Sequence, residues 1–138
     1  KWSRKAADLG SMRGRNALAI LYYRGEGNIP VDKLKALALV ESSACQGYSL
    51  SQNSLGKWYA EGMDGLPKDN QKAYAWFTVA ISNGYDEAKE SKEVVSKKMT
   101  PTEIKKANNL AEKYIKKYAS PMNNDDDTYK STQECKYP

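Results

Sequence analysis

Shifted by 37 residues, the chain overlays itself without a gap from residue 1 to about residue 88. Gly10 falls on Gly47 and then on Gly84, and Trp2 on Leu39 and then on Trp76. Asn16, Leu18, Tyr22 and Gly25 fall on Asn53, Leu55, Tyr59 and Gly62. Pro30, Asp32, Lys35, Ala36 and Ala38 fall on Pro67, Asp69, Lys72, Ala73 and Ala75. A period of this length that mixes turn and core residue types describes an array, in which each unit buries its apolar face against its neighbours.

Each period reads as two helices. The first spans roughly 12–24 and its copy roughly 50–61. Leu18 and Tyr22, like Leu55 and Tyr59, are four apart and share one helical face. Ala19 and Gly56 follow the leucines, and so small a residue lets a neighbouring helix approach. Gly25 and Gly62 stand where a left-handed C-terminal cap is wanted. The loops after them carry Ile29-Pro30 and Leu66-Pro67, whose apolar side chains are expected to plug the ends of the helix pairs. Asp32 and Asp69 are placed to cap the second helices, accepting from a free backbone N–H. Those helices run to about 46 and 83. Ala36, Leu39 and Ser43 recur as Ala73, Trp76 and Ala80, at spacings of three and four, and Gly47 and Gly84 end the helices. The predicted repeat core is therefore Leu18, Tyr22, Leu55, Gly56, Tyr59, Ala36, Ala73 and Trp76.

The ends depart from the pattern. Residues 1–9 read as the second helix of a preceding repeat, closed by Gly10, so the chain is expected to be a piece of a longer or processed protein. A degraded helix is expected over 86–98. Thr100-Pro101-Thr102-Glu103 then reads as a capping box with proline at the first helical position, opening a helix to about 118. Ile104, Ala107, Ala111, Tyr114, Ile115 and Tyr118 form its apolar stripe, and Lys105, Lys106, Lys113, Lys116 and Lys117 lie off it. A charged, atypical last pair suits a cap, because no further repeat covers it. The expected organisation is a repeat domain over 1–119 and a polar tail over 120–138. The domain divides into a partial repeat at 1–10, repeats at 11–47 and 48–84, and a capping pair at 85–119. The fold class is all-α, a solenoid of antiparallel helix pairs.

The net charge of +5 is distributed as +5, −3, +5 and −2 over residues 1–40, 41–88, 89–119 and 120–138. That alternation opposes one continuous basic stripe, and no nucleic-acid recognition motif accompanies it. A small cluster of Arg13, Arg15 and Arg24 with Tyr23 is the feature that nucleic acid would use. No window of 18 consecutive apolar residues exists to span a membrane, and no secretory signal pattern is present. With no histidine in the chain, no Ser-His or Cys-His nucleophile-base pair and no imidazole metal ligand can form. Ser54-Leu55-Gly56-Lys57 matches an S-x-x-K pattern, but its supporting motifs are missing and the counterpart of Ser54 is Ala17. Asp125-Asp126-Asp127 lacks the spacing of a calcium loop. Two cysteines fall short of a four-ligand metal site. Cys45 and Cys135 either form a disulfide, in an oxidising compartment, or are two unrelated thiols. No cofactor, no metal and no catalytic residue is expected.

The run Leu55-Gly56-Lys57-Trp58-Tyr59-Ala60-Glu61-Gly62, then Leu66-Pro67-Lys68-Asp69, then Lys72-Ala73-Tyr74-Ala75-Trp76, resembles the Sel-one-like repeats, relatives of the tetratricopeptide repeat. Met99 to Ile104, followed by Ala107 and Ala111, is similar to the terminal helices of many bacterial members. The resemblance covers about residues 1–119, with Leu39 where tryptophan is usual and Ala19 where glycine is usual. It implies a right-handed superhelix whose first helices line a concave surface, and an adaptor or scaffold that binds another protein. It also implies that such proteins are often exported to the periplasm or beyond, and that some are immunity proteins against toxins delivered by type VI secretion. On this reading the partner-binding positions are Arg13, Asn16, Ile20, Tyr23 and Arg24, then Asn53, Lys57, Ala60 and Glu61, then Glu87 and Glu90. Asn16 and Asn53 carry a second reading, because their recurrence also suits a structural hydrogen bond. Mixed charge with Tyr and Arg suits a protein partner.

Overall fold

The computed structural model describes residues 2–25, 27–63 and 66–118. Among them are six helices: α1 (Trp2–Arg24), α2 (Lys33–Cys45), α3 (Ser49–Glu61), α4 (Asn70–Ser82), α5 (Ala88–Ser96) and α6 (Pro101–Lys117). Neighbours pack in sequence, α1 on α2, α2 on α3, α3 on α4, α4 on α5, and α6 returns onto α4. This is a solenoid of helical repeats.

The recurring residues explain the recurring geometry. Asp32 and Asp69 cap α2 and α4 by accepting from the N–H groups of Lys35 and Lys72 at 3.0 and 3.1 Å. Both loops are stitched back to the preceding helix at equivalent places. The N–H of Asp32 donates to the Tyr22 carbonyl at 2.8 Å, and that of Asp69 to the Tyr59 carbonyl at 2.9 Å. The Nζ of Lys35 lies 5.0 Å from the Tyr22 ring centroid, and that of Lys72 5.5 Å from the Tyr59 ring. Gly25 adopts φ of 70°, and a Cβ there would clash with Cγ2 of Val31. Leu66 is buried under the α3–α4 pair as its loop position demands, while Ile29 is half-buried.

The small-residue position is where the two repeats differ instructively. A Cβ on Gly56 would stand 2.7 Å from Cδ1 and Cε1 of the buried Phe77. The corresponding pair one repeat earlier is Ala19 with Val40, both fully buried. The first repeat thus has a methyl group opposite a valine where the second has a glycine opposite an aromatic ring. Gly56→Ala is expected to destabilise by ~1–3 kcal/mol through overpacking, outweighing its better helix propensity. The double change Gly56→Ala with Phe77→Val is expected to cost less than the two single changes added. Urea unfolding of the four proteins checks this, and simple additivity would mean the two positions are not in contact.

Three expectations are corrected. Gly10 does not end a helix, since α1 runs unbroken through it. Gly47 and Gly84 do turn the chain, at φ of 98° and 100°, and the residue after each donates its N–H back into the helix: Tyr48 to Ser43 and Tyr85 to Ala80. In both cases the residue that closes the turn is a tyrosine, Tyr48 buried and Tyr85 half-buried. Ser11 stands at that place in the first copy and supplies no apolar anchor for the turn. Secondly, Leu55 is fully buried, but its counterpart Leu18 is 38% exposed. The residues read as a preceding second helix instead continue along α1. Thirdly, α5 is shorter than expected. Its first residues form turns, with Ala88 donating to Tyr85 and Lys89 to Asp86.

α5 and α6 both pack on α4. Both halves of the capping box form, with Thr100 accepting from the Glu103 N–H and Glu103 accepting from the Thr100 N–H. Ala107, Ala111, Tyr114 and Tyr118 are buried, and all five stripe-flanking lysines are exposed. The last aromatics close on α4, the Trp76 ring lying 4.6 Å from Tyr114 and 5.4 Å from Tyr118. Burial drives the Tyr114 phenol well above its usual range and pushes the Tyr118 phenol up to about 12. The acidic run at 125–127 lies outside the described residues.

Candidate functional site

α3 and α5 lie side by side across α4, and the space between them holds two adjoining clefts. One, of ≈ 580 Å³, is lined by Asn53 and Lys57 of α3 and by Tyr85, Asp86, Glu87, Lys89, Glu90 and Ser91. The other, of ≈ 390 Å³, is lined by Lys57, Ala60, Glu61 and Phe77 and by Glu90, Ser91, Val94, Val95 and Lys98. Lys57, Glu90 and Ser91 belong to both, so the two form one groove. Its walls follow from helical spacing: 53, 57, 60 and 61 share one face of α3, and 90, 91, 94 and 95 one face of α5, with Glu87 and Lys98 just beyond its two ends. Six of the positions expected to bind, Asn53, Lys57, Ala60, Glu61, Glu87 and Glu90, come together here.

The groove is polar at one end and apolar at the other. At the polar end the Tyr85 hydroxyl donates to Oε2 of Glu87 at 2.9 Å, and burial followed by that carboxylate raises its pKa. Lys89 is paired with Asp86 at 3.8 Å, a highly exposed contact worth little to stability. At the apolar end Phe77 and Val95 are buried, and Val94 is 52% exposed, an uncovered β-branched side chain beside them.

The remaining expected positions lie on α1. Arg13 and Arg24 are exposed and Ile20 is half-buried. Tyr23 is half-buried and stacked on Trp58 of α3, with centroids 5.1 Å apart and planes 15° from parallel, and Lys33 lies over its ring. Much of Tyr23 therefore serves the junction between repeats. Asn16 is buried, and its Oδ1 accepts from the Ser51 hydroxyl at 2.9 Å, so it ties α1 to α3. Arg15, which the nucleic-acid cluster would need, donates to the Ser42 hydroxyl at 3.2 Å.

Sequence reasoning missed Gln52. It is fully buried, its Nε2 donating to the carbonyls of Ala44 and Tyr118 at 3.0 Å each. Its Oε1 accepts from Asn83 at 2.9 Å, and Asn83 also donates to the Tyr118 carbonyl. One amide thus joins the ends of α2, α4 and α6 to the first turn of α3. The repeat carries no signal for it, since Arg15 and Lys89 hold the equivalent places. Beside this network Cys45 is buried and engaged in a disulfide, while Cys135 lies outside the described residues. No helix among the described residues is long and apolar enough to cross a membrane. Among them, too, no group of three or more acidic or cysteine side chains could hold a metal ion.

No curated protein matches the chain. Among solved structures it is similar to a protective antigen present in uropathogenic Escherichia coli strains and displaying an SLR fold. That match has a TM-score of 0.75 and 32% identity over 86% of this chain. It spans 25% of the antigen, so the chain corresponds to about a quarter of that protein's length. The model of the Sel1 repeat matches residues 1–11, 13–48 and 49–85. Period, capped helix pairs and solenoid packing agree with that match, and the chain belongs to the Sel1-repeat family.

Proposed function

We propose that this protein is a non-catalytic interaction module that holds a partner protein in the groove between α3 and α5 and on the adjoining face of α1. Sel1 repeats generally serve as protein–protein interaction scaffolds. The observation that carries the reading is the convergence of six mixed-charge and small side chains from two successive first helices on one groove. A groove of this kind, charged at one end and with an uncovered valine at the other, suits a protein segment better than a nucleic-acid strand, which needs basic charge and stacking aromatics together. The disulfide at Cys45 favours an oxidising compartment and hence an exported protein. The neighbour's description as a protective antigen is in keeping with export. Neutralisation of a delivered toxin is the sharpest form of the reading.

Capture from the native organism's nuclease-treated extract at ~150 mM salt, about one Debye length of 8 Å, tests it. One dominant protein is expected. Reversing two exposed charges together, Lys57→Glu with Glu61→Lys, is expected to weaken it at least ~10-fold, the equivalent of about 1.4 kcal/mol. A toxin as that protein would establish the immunity role. Binding indifferent to the double change would move the site off this groove, and retention of nucleic acid alone before nuclease treatment would sink the protein-partner reading.

A further inference from the structure

The 37-residue repeat sets up a hydrogen bond that its second copy cannot make. Asn16 Oδ1 accepts from Ser51 Oγ, across the junction from α1 to α3. One repeat on, Asn53 is the copy of Asn16, but the copy of Ser51 is Ala88, fully buried and without a hydroxyl. Asn53 is 5% exposed, and its Oδ1 is buried with no hydrogen-bond partner. A buried amide oxygen left without a donor is unfavourable and rarely tolerated without a reason. α2 and α4 pack against α3. Asn53 is also one of the residues that line the polar end of the groove, with Glu87 and Glu90.

Those two carboxylates are three residues apart, Glu87 at the N-cap of α5 and Glu90 in its first turn. Asp86 is occupied by Lys89, whereas Glu90 forms no ion pair among the described residues. The missing partner is therefore a donor, and the surrounding charge favours a cationic one. Lys57, one turn beyond Asn53, opposes a cation and confines it to the Asn53 end. We propose that the polar end of the groove is an anchor pocket for a basic side chain of the partner, an arginine in its best-fitting form. The guanidinium would donate to Asn53 and to the carboxylates of Glu87 and Glu90. Its planar fork and five donors match such a three-acceptor site better than a lysine does. This inference rests on the groove being the binding face.

The test uses the full chain and two blocked pentapeptides, acetyl-Gly-Gly-Arg-Gly-Gly-amide and the same peptide with citrulline, followed by NMR. The arginine peptide is expected to shift the Asn53 side-chain amide and the backbone amides of residues 87–90, and the citrulline peptide to do so at least fivefold more weakly. Ala88→Ser gives Asn53 the partner that Asn16 has. It is expected to keep or raise the melting temperature and to weaken the arginine peptide at least fivefold. Glu90→Gln is expected to weaken binding and Lys57→Ala to tighten it, opposite signs that a merely structural effect would not produce. Equal shifts from both peptides, no shift from either, or binding unaffected by Ala88→Ser would overturn the anchor. Failure of the anchor with a captured partner still lost on reversing Lys57 and Glu61 would leave the interaction reading standing.

Discussion

Trp76→Ala will destabilise the protein by ~3–5 kcal/mol, the range for deleting a large aromatic from a closed core. Trp76 is fully buried near the middle of α4, the helix that touches α3, α5 and α6. Its ring is the platform on which Tyr114 and Tyr118 close, and those two rings are 5.7 Å apart. Each such aromatic pair contributes ~0.5–1.5 kcal/mol beyond the area it buries. Truncation removes two of them at once and leaves a void that three packed helices cannot collapse into. Guanidinium unfolding followed by helical circular dichroism measures the loss, with an accompanying fall in melting temperature of ~10–20 °C. An effect below ~1 kcal/mol would mean that α6 does not seal the array through Trp76. The counterpart Leu39 is only half-buried, so Leu39→Ala should cost distinctly less.

The contrast between Trp76 and Leu39 shows what the sequence could and could not tell. Glycine, proline and aspartate at loop and cap positions mark the repeat because their roles are local. The caps at Asp32 and Asp69 and the capping box at Thr100 appear where spacing puts them. Gly10 misled because a glycine ends a helix only when the chain after it can fold back, and Ser11 lacks the apolar side chain of Tyr48. Gln52 was illegible for another reason. Its partners are a side-chain amide and two carbonyls, one of them 66 residues away, and no periodicity encodes a contact made once. The groove lies between these cases. Its α3 and α5 walls were readable as helical faces, whereas the orphaned state of Asn53 became visible once Ser51 and Ala88 were known to occupy equivalent junctions.

Gln52→Glu is the change that most sharply tests the junction, because it keeps the shape and alters only the charge and one donor. At neutral pH the introduced carboxylate would sit in a fully buried site facing the Ala44 and Tyr118 carbonyls, which now accept from Nε2. Acceptor would face acceptor, and only the Asn83 amide would still donate to it. Burial and the carbonyl dipoles both disfavour the charged form, so the folded-state pKa lies above the unfolded value of about 4.3. The folded state then holds its proton at pH values where the unfolded chain has released it, and stability falls as pH rises through that window. If the folded pKa reaches about 7, the loss is ~3.3 kcal/mol at pH 7 and approaches ~3.7 kcal/mol above it, at about 1.36 kcal/mol for each unit. Below about pH 4 the introduced carboxyl is protonated in both states and donates to one of the carbonyls, so most of the deficit disappears. Urea midpoints for the variant and the parent protein, measured from pH 4 to 8, should converge at the acid end and separate steadily above it. A deficit independent of pH would show that the amide's surroundings are wet, and that α6 is held in place by its apolar stripe against α4 alone.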